Sequence, residues 1–457
     1  MKKVLFSLSL IGLSLLSNAQ TWQGIETAAP ALHFPSVVKM VDANTIWFSD
    51  SKATAATDTG RYIGVSTDGG ATWSNKLITA PAAAATIGDI HPVSATTAYM
   101  VSSGTGSQNG IWKTTDSGTT WTKQTSASYS TTTSSAASFA NVVYFWDANN
   151  GFTAGDPIGP LATRKFEMYS TTNGGTNWTA ISSAPAPLGG AEFGYTSKIT
   201  VSGNNIWLGT DIGRLLYSPN RGTSWQAFQT PAVDFGGVTT ADNVASVAFK
   251  DSTNGLLITY DYVVEGSEIA ILYSTSDSGQ TWEPVENTGT FYPSDIVYVP
   301  GTPNTYVTSG SDGSSYSTDG GLTWTDIAYD PTTSPYKGSL AFLNSTTGFA
   351  GGFSQTMIDS LPIAGIYKFN GDLSLAVSDA NASKAKLVAY PNPATDVVKL
   401  KSAKEIKSVN ILDLSGKVVK TVKTTSEVNV SSLNKGVYIL QASYKDGSFE
   451  NTKVIKK

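Results

Sequence analysis

The sequence predicts an all-β protein, a seven-bladed β-propeller followed by a small immunoglobulin-like β-sandwich. Three observations lead to this prediction. An octet close to Ser/Thr-x-Asp-x-Gly-x-Thr-Trp occurs six times, and neighbouring copies lie 42 to 57 residues apart. Pairs of short apolar strands recur seven times at a similar period. The composition of the chain changes near residue 380, where lysine becomes dense.

The paired strands define the repeating unit. Each first strand ends in a polar turn, after which a second apolar strand resumes, and six of the seven pairs are followed by an octet hairpin. Four strands in about 50 residues are typical of a propeller blade. The first strands are predicted near residues 36–41, 89–93, 141–145, 198–201, 246–249, 295–299 and 339–343.

Each octet is predicted to be the turn of a β-hairpin. The Asp or Asn at its third position would accept backbone N–H groups two residues on, and the glycine at its fifth position permits a positive φ. The tryptophan would bury its ring between neighbouring sheets, with its N–H free for a partner. The six pairs are Asp68 and Trp73, Asp116 and Trp121, Asn173 and Trp178, Asn220 and Trp225, Asp277 and Trp282, and Asp319 and Trp324.

This octet resembles the Asp-box, or BNR, repeat of sialidases, sortilin-type receptors, some xyloglucan-degrading enzymes and photosystem II assembly factors. The resemblance implies that the octets are structural and lie away from the ligand-binding face. A calcium site is not expected, because the octet lacks the alternating ligands of an EF-hand loop.

The last strand pair has no octet of its own. Thr21-Trp22-Gln23 reads like the end of an octet without its turn. We therefore expect the N-terminal strand to complete the last blade and so to remove an exposed sheet edge.

The two ends of the chain differ in character. Residues 1–19 read as a signal peptide, with Lys2 and Lys3 before a short apolar run and a small-x-small cleavage site. The absence of cysteine excludes a disulfide framework and a thiol nucleophile. Residues 20–383 carry 14 Lys and Arg against 29 Asp and Glu, a net charge of −15, whereas residues 384–457 carry 14 against 6, a net charge of +8. This asymmetry predicts a propeller at 20–371, a linker at 372–386 and a second domain at 387–457.

The second domain reads as short alternating strands. Three segments stand out, one containing Pro391, Asn392 and Pro393, one containing Gly416, and one containing Gly436 and Tyr438. In this order they resemble the type A sorting domain of the type IX secretion system, the route that Bacteroidetes-type bacteria use across the outer membrane. The resemblance implies handling by that machinery, removal of the domain, and attachment at the cell surface or release. An ordinary accessory β-sandwich is the alternative.

Candidate ligand-binding residues are expected on the face opposite the octets, where the blades are joined. An acid recurs just past the second strand of a blade, and five such acids around one channel would attract cations or accept hydrogen bonds from sugar hydroxyls. The alternative is that these acids cap turns. The acids are Asp50, Asp156, Asp211, Asp261 and Asp312, and the loops between blades add His33, Glu192, Tyr195, Asp242 and Tyr292.

Sialidase activity is disfavoured by one substitution. Sialidases begin their first blade with Phe/Tyr-Arg-x-Pro, whose arginine helps to clamp a carboxylate, and here His33 stands in that place. Only four arginines follow the signal peptide, so an arginine triad is hard to assemble.

The sequence therefore predicts a non-enzymatic binding module for a protein or glycan. A glycoside hydrolase using two of the acids is the alternative. No metal or cofactor motif emerges, a net charge of −15 disfavours nucleic acid, and no transmembrane segment is expected. We expect a monomer that is secreted or attached to the outer surface.

Overall fold

A computed structural model describes residues 20–29, 33–52, 61–83, 85–104, 106–129, 138–236, 243–262, 268–329, 337–352, 365–374, 387–402, 405–413, 417–423, 427–445 and 449–457. The predicted signal peptide, Asp242 and Gly416 lie outside these residues. The chain divides into two compact units, Met1–Ala376 and Val377–Lys457.

Short strands make up nearly all the regular structure of the first unit. The first described strand is β1 (Thr21–Ile25), and a single short 3₁₀ helix lies at Gly106–Gln108 within the described ranges. The strands of blade 1 are β2 (His33–Met40), β3 (Ile46–Lys52), β4 (Tyr62–Ser66) and β5 (Ser74–Leu77). Those of blade 2 are β6 (Thr86–Pro92), β7 (Ala98–Ser103), β8 (Gly110–Thr114) and β9 (Thr122–Lys123). Those of blade 3 are β10 (Ala140–Phe145), β11 (Gly151–Ile158), β12 (Lys165–Thr171) and β13 (Thr179–Ala180).

Three further four-stranded sheets and one five-stranded sheet follow. The strands of blade 4 are β14 (Gly194–Ser202), β15 (Asn205–Thr210), β16 (Arg214–Ser218) and β17 (Gln226–Gln229). Those of blade 5 are β18 (Asn243–Phe249), β19 (Gly255–Tyr262), β20 (Glu268–Thr275) and β21 (Glu283–Pro284). Those of blade 6 are β22 (Asp295–Tyr298), β23 (Tyr306–Ser309), β24 (Ser314–Ser317) and β25 (Thr325–Asp326). Blade 7 combines β26 (Ala328–Tyr329), β27 (Lys337–Asn344), β28 (Thr347–Gly352) and β29 (Ile366–Asn370) with β1.

These sheets form a closed ring. In blades 1 to 6, consecutive strands pair antiparallel in sequence order. The first strand of each blade contacts the first strand of the next, and β27 contacts β2 again. Apolar clusters fill the space between blades, as where Trp47 and Ile63 of blade 1 meet Ile90 and Met100 of blade 2. The all-β prediction and the propeller architecture are confirmed.

The octets form the predicted hairpin turns, but their hydrogen bonds differ from the expectation. In the first octet, Asp68 accepts from the backbone N–H and the hydroxyl of Thr72, at 2.8 and 2.6 Å. These groups lie four residues on, so the expected reach of two residues is wrong. The hydroxyl of Ser66 accepts from the N–H of Gly70, and the indole N–H of Trp73 donates to the carbonyl of Gly70. The octet is thus a closed network that satisfies its own turn.

The ring closes as predicted. β1 pairs antiparallel with β29, with Trp22 opposite Phe369. Trp22 is buried against the rings of Phe342 and Phe369. Ala328 and Tyr329 add a parallel strand on the far side of β1, which the sequence did not predict.

The propeller extends beyond the boundary expected at residue 371. Leu373 is 1% exposed and belongs to the apolar cluster that contains Trp22. Its N–H also donates to the carbonyl of Ser345. Residues 372–374 therefore pack with the propeller rather than forming a linker.

The second unit contains two antiparallel sheets around one apolar core. Their strands are β30 (Val388–Tyr390), β31 (Val397–Lys401), β32 (Ile406–Leu412), β33 (Val418–Val422), β34 (Glu427–Asn429), β35 (Gly436–Tyr444) and β36 (Phe449–Lys456). The exposed Asn392, between Pro391 and Pro393, exchanges hydrogen bonds with the backbone of Lys453 and Ile455 in β36. Gly436 begins β35, and the Tyr438 hydroxyl donates to the carbonyl of Asn434. The immunoglobulin-like assignment remains a prediction.

Candidate functional site

A central channel of about 780 Å³ runs between the inner strands of the propeller. The first strands of blades 1, 4, 5, 6 and 7 line it. Its charged lining residues are three lysines and one aspartate, namely Lys39, Lys198, Lys250 and Asp295. None of these four residues is one of the acids predicted at the channel mouth.

Lys198 is the most unusual of these residues. Its side chain is partly buried and lines the channel. The ammonium donates to the carbonyl of Ala245 at 3.0 Å and, among the described residues, makes no other hydrogen bond. Burial lowers its pKa, and the nearby charges of Asp295 and Asp234 oppose that change.

Asp295 is held by donors from three neighbouring elements. The Ser246 hydroxyl and the N–H of Ile296 donate to one oxygen, and the N–H of Leu340 donates to the other. Burial nevertheless raises the pKa of Asp295. Its acceptor capacity is thus largely used in joining blades 5, 6 and 7.

A contact across the channel joins blades 2 and 4. Ser197 has a left-handed backbone, with φ of +64°, and its hydroxyl donates to buried Asp89 at 3.1 Å. The ammonium of Lys39 in blade 1 lies 3.6 Å from the same carboxylate. These contacts link three inner strands from separate blades.

His33 and Asp50 form a pair at the start of blade 1. The Nδ1 of His33 donates to Asp50 at 2.5 Å, and the side chains are 0% and 2% exposed. Asp50 also accepts the N–H of Tyr62, whose ring packs edge-on against the imidazole. Burial raises the pKa of Asp50, although both hydrogen bonds lower it. The aspartate fixes the strand start rather than facing solvent.

Asp156 and Asp211 lie at the junction of blades 3 and 4. Asp156 accepts from the amide of Asn141 and, at 3.3 Å, from the N–H of Gly194 in the next blade. Burial raises its pKa to about 6, and the charge of Asp211 adds to the shift. Asp211 accepts the N–H of Phe193, and its pKa is likewise raised, first by burial. Both carboxylates anchor the first strand of blade 4.

Glu192 completes this junction as a buried ion pair. Both of its oxygens accept from Arg214, at 3.0 and 2.5 Å, and one also accepts the N–H of Leu188. The side chain of Glu192 is 0% exposed. The neighbouring Tyr195 packs its ring against Gly236 and Phe193. Glu192 and Tyr195 therefore shape the loop between the two blades.

The remaining candidates lie at the later blades. Tyr292 donates to Asp326 at 3.3 Å, whereas Asp312 is exposed. In the β-sheet of blade 5, the backbone of Asp261 lies opposite that of Asn243. The side chain of Asp261 lies outside the described part of the structure. Asp156, Asp211 and Glu192 thus come together, and Tyr292 and Asp312 lie near each other in blade 6, whereas Asp50 belongs to blade 1.

The sequence singled out neither Lys198 nor Asp89 nor the role of Asp295. Each lies inside a predicted first strand that reads as core. The available signal was a charged residue in an otherwise apolar inner strand, because such a charge is costly unless it is paired or reaches a cavity. No group of three or more histidines or acids in the described ranges could hold a metal ion. Within those ranges, no helix has the length and apolar character needed to cross a membrane.

Residues 388–457 match the family model described as the secretion system C-terminal sorting domain. The tail is a sorting domain. This protein is therefore a substrate of type IX secretion that reaches the cell surface or the extracellular space. A search of curated proteins gives no match.

Comparison with solved structures gives several similar chains. YCF48 bound to D1 peptide has a TM-score of 0.49 and 16% identity, covering 77% of this chain and 96% of the other. YCF48 from Cyanidioschyzon merolae has a TM-score of 0.49 and 14% identity, covering 77% and 98%. An ancestral GH74 enzyme has a TM-score of 0.47 and 13% identity, covering 95% of this chain and 63% of the other. Similarities this low carry no functional information.

Proposed function

We propose that this exported protein is a non-enzymatic binding module that holds a protein or glycan ligand. The ligand would occupy the central channel and the loops that join the blades. The observation that carries the proposal is the use of the acids at those loops. Asp50, Asp156, Asp211 and Glu192 each accept hydrogen bonds that fix a strand or loop. Such carboxylates stabilise a surface for binding and are poorly placed to attack a substrate.

The channel supports the same proposal. A volume of about 780 Å³ lies within the range of small-ligand sites, which is roughly 300–1,000 Å³. Lys198 contributes ammonium N–H groups, and the hydroxyls of Ser246 and Ser339 lie in the same wall. A polar ligand could therefore find donors and acceptors there. We expect the buried face candidates to contribute mainly by shaping the surrounding loops.

One observation favours a glycoside hydrolase as the second candidate. A pKa of about 6 suits Asp156 to proton transfer near neutral pH, and Asp211 is close enough to influence it. However, the cavity beside these residues, lined by Asn141 and Tyr195, measures about 10 Å³. That space holds at most one water molecule. A sugar would require the junction to open.

The purified mature protein tests the two candidates directly. It would be screened on a glycan array and assayed with fluorogenic glycosides and sialosides, beside the K198M, D156N and D211N variants. Binding without turnover, weakened in K198M, is the expected result. Turnover that D156N or D211N abolishes would overturn the binding proposal in favour of the hydrolase.

We further propose that the mature form is monomeric and lacks residues 1–19 and 387–457. Mass spectrometry of the exported protein would show whether both segments are removed. A variant lacking residues 388–457 should accumulate before the outer membrane, since the sorting domain is the export signal.

A further inference from the structure

The fourth position of the octets has a special backbone. All six residues there have φ between +56° and +78°, and each donates its backbone N–H to the turn between the first two strands of its own blade. Glycine and serine occupy five of the positions, and arginine occupies one. The residues are Gly69, Ser117, Gly174, Arg221, Ser278 and Gly320.

The turn does not explain why blade 4 has an arginine. A left-handed backbone disfavours any residue with a Cβ atom, whereas glycine adopts it freely. Ser117 and Ser278 use their hydroxyls to donate to carbonyls of the same turn. Because short residues satisfy the other five turns, the turn itself does not require the guanidinium of Arg221.

That side chain is held rigidly on the octet face. Its Nε donates to Asn204 Oδ1 at 2.8 Å, and its backbone N–H donates to the carbonyl of Asn204. The guanidinium carbon lies 4.9 Å from the ring centre of Trp146 in blade 3. Trp146 is itself fixed, because its indole N–H donates to the carbonyl of Gly203 at 2.8 Å. The guanidinium is therefore oriented before any ligand binds.

The two terminal nitrogens of Arg221 face solvent. The residue is exposed, and no described residue accepts a hydrogen bond from either nitrogen. Asp147 is nearby, and hydrogen bonds from Asn150 and Asn149, with a smaller effect of Arg221, lower its pKa. Its oxygens already accept from those two asparagines, and it forms no ion pair with Arg221. A planar, pre-oriented pair of donors is thus available.

Aromatic surface lies beside this cation. Tyr144 packs edge-on against Trp146, with ring centres 5.2 Å apart, and both side chains are partly exposed. Within the described residues the Tyr144 hydroxyl makes no hydrogen bond. Aromatic rings with a polar tip suit a hydroxylated ligand that has apolar faces. The net charge of −15 on residues 20–383 disfavours an acidic protein partner, which would bring many negative charges.

We propose that Arg221, held on Trp146, binds the carboxylate of an acidic sugar on the octet face. The guanidinium would donate two parallel hydrogen bonds to the carboxylate, and Tyr144 and Trp146 would contact the sugar ring. This site lies on the face opposite the one in the proposed function and does not depend on it.

The test uses the exported protein and trigalacturonate, with its fully methyl-esterified form as the matched neutral probe. Isothermal titration should detect the acid and not the ester. R221S should weaken binding at least tenfold and still fold, because serine occupies the same position in two other octets. R164Q is the control, since Arg164 donates to the carbonyls of Gly159 and Gly190 at the other face.

The proposal would be overturned by the absence of binding to trigalacturonate, by equal binding of acid and ester, or by wild-type affinity in R221S. Tighter binding of a polyaspartate peptide than of trigalacturonate would also reject the sugar and point to an acidic protein. Loss of trigalacturonate binding in R221S with other glycan-array binding retained would support this site and leave the proposed function intact.

Discussion

The indole N–H of Trp22 donates to the hydroxyl of Ser314 at 2.6 Å, although the two residues are 292 positions apart. Trp22 lies in β1 of blade 7 and Ser314 lies in β24 of blade 6. The first strand of the chain therefore closes its own blade and also ties that blade to the preceding one. A ring closed in this way depends on a few residues at its seam.

We expect W22A to lower the free energy of unfolding by about 3–5 kcal/mol, because it leaves a cavity and an unpaired hydroxyl. W22F keeps most of the ring and loses only the N–H, so its cost should be about 1 kcal/mol. Urea denaturation followed by circular dichroism would measure both. Wild-type stability in W22A would show that the seam contributes little.

The octet aspartates should make the propeller sensitive to acid. Hydrogen bonds from Thr72 and Ser66 lower the pKa of Asp68 to about 2, against 3.8 for a free aspartate. Because the pKa of this group is lower in the folded state, the group stabilises the protein at pH values above its unfolded-state pKa. That stabilisation is lost as the pH falls from about 4 to 2. Two other octets have asparagine at the third position, Asn173 and Asn220, and each accepts the equivalent backbone N–H. The variant D68N should therefore fold, and its melting temperature should fall less steeply with acid; an identical pH profile would contradict this account.

Asp156 should have the opposite pH dependence. Burial raises its pKa to about 6, so the folded state holds its proton more tightly than the unfolded state does. The stabilisation that this group provides is fully present below about pH 3.8 and is lost as the pH rises through about 6. D156N removes the charge, so the melting temperature should change less between pH 4 and 7 than in the wild type. Asp156 should also titrate near pH 6 by NMR, and titration near 4 would show that the carboxyl is well solvated.

Breaking the Glu192–Arg214 pair should be costly. R214M leaves the Glu192 carboxylate buried without its bidentate partner, and such losses reach about 3–5 kcal/mol. The double variant E192M/R214M removes both charges and should recover much of that loss. Denaturation of the two variants would separate the cost of an unpaired charge from the value of the pair. Equal stability of R214M and the wild type would mean that water replaces the arginine.

Much of the propeller was predictable because its determinants are local. The octet specifies a hairpin turn through residues within eight positions of each other, and Trp22 could be recognised as an incomplete copy. The donors to Asp68 were predicted two residues on, whereas Thr72 lies four residues on. The prediction failed because several turn geometries are compatible with the same residue types. The packing of Leu373 was also missed, because a polar segment around one leucine resembles a linker.

The candidate site was less predictable. Repetition along the sequence predicted acids just past the second strands, but Asp50 and Asp156 lie within β3 and β11, and only Asp211 of these three follows its strand. Repetition also could not show which donors each acid would meet. Asp156 meets Gly194 of the next blade and Asp295 meets Leu340 of another. These partners are 38 and 45 residues away. Only the closed ring brings them together.

The sequence by itself determined the all-β propeller, its closing strand and its export, because repeats and terminal motifs are encoded in short contiguous segments. The tertiary structure decided which charges are buried, paired or free. In the sequence Lys198 is one lysine among many, and only the closed ring places it on the channel wall. Arg221 is an unusual residue in one octet, and only the fold places it over Trp146 of the preceding blade. Burial and electrostatic partners depend on residues that are distant in sequence, so folding is what assigns them.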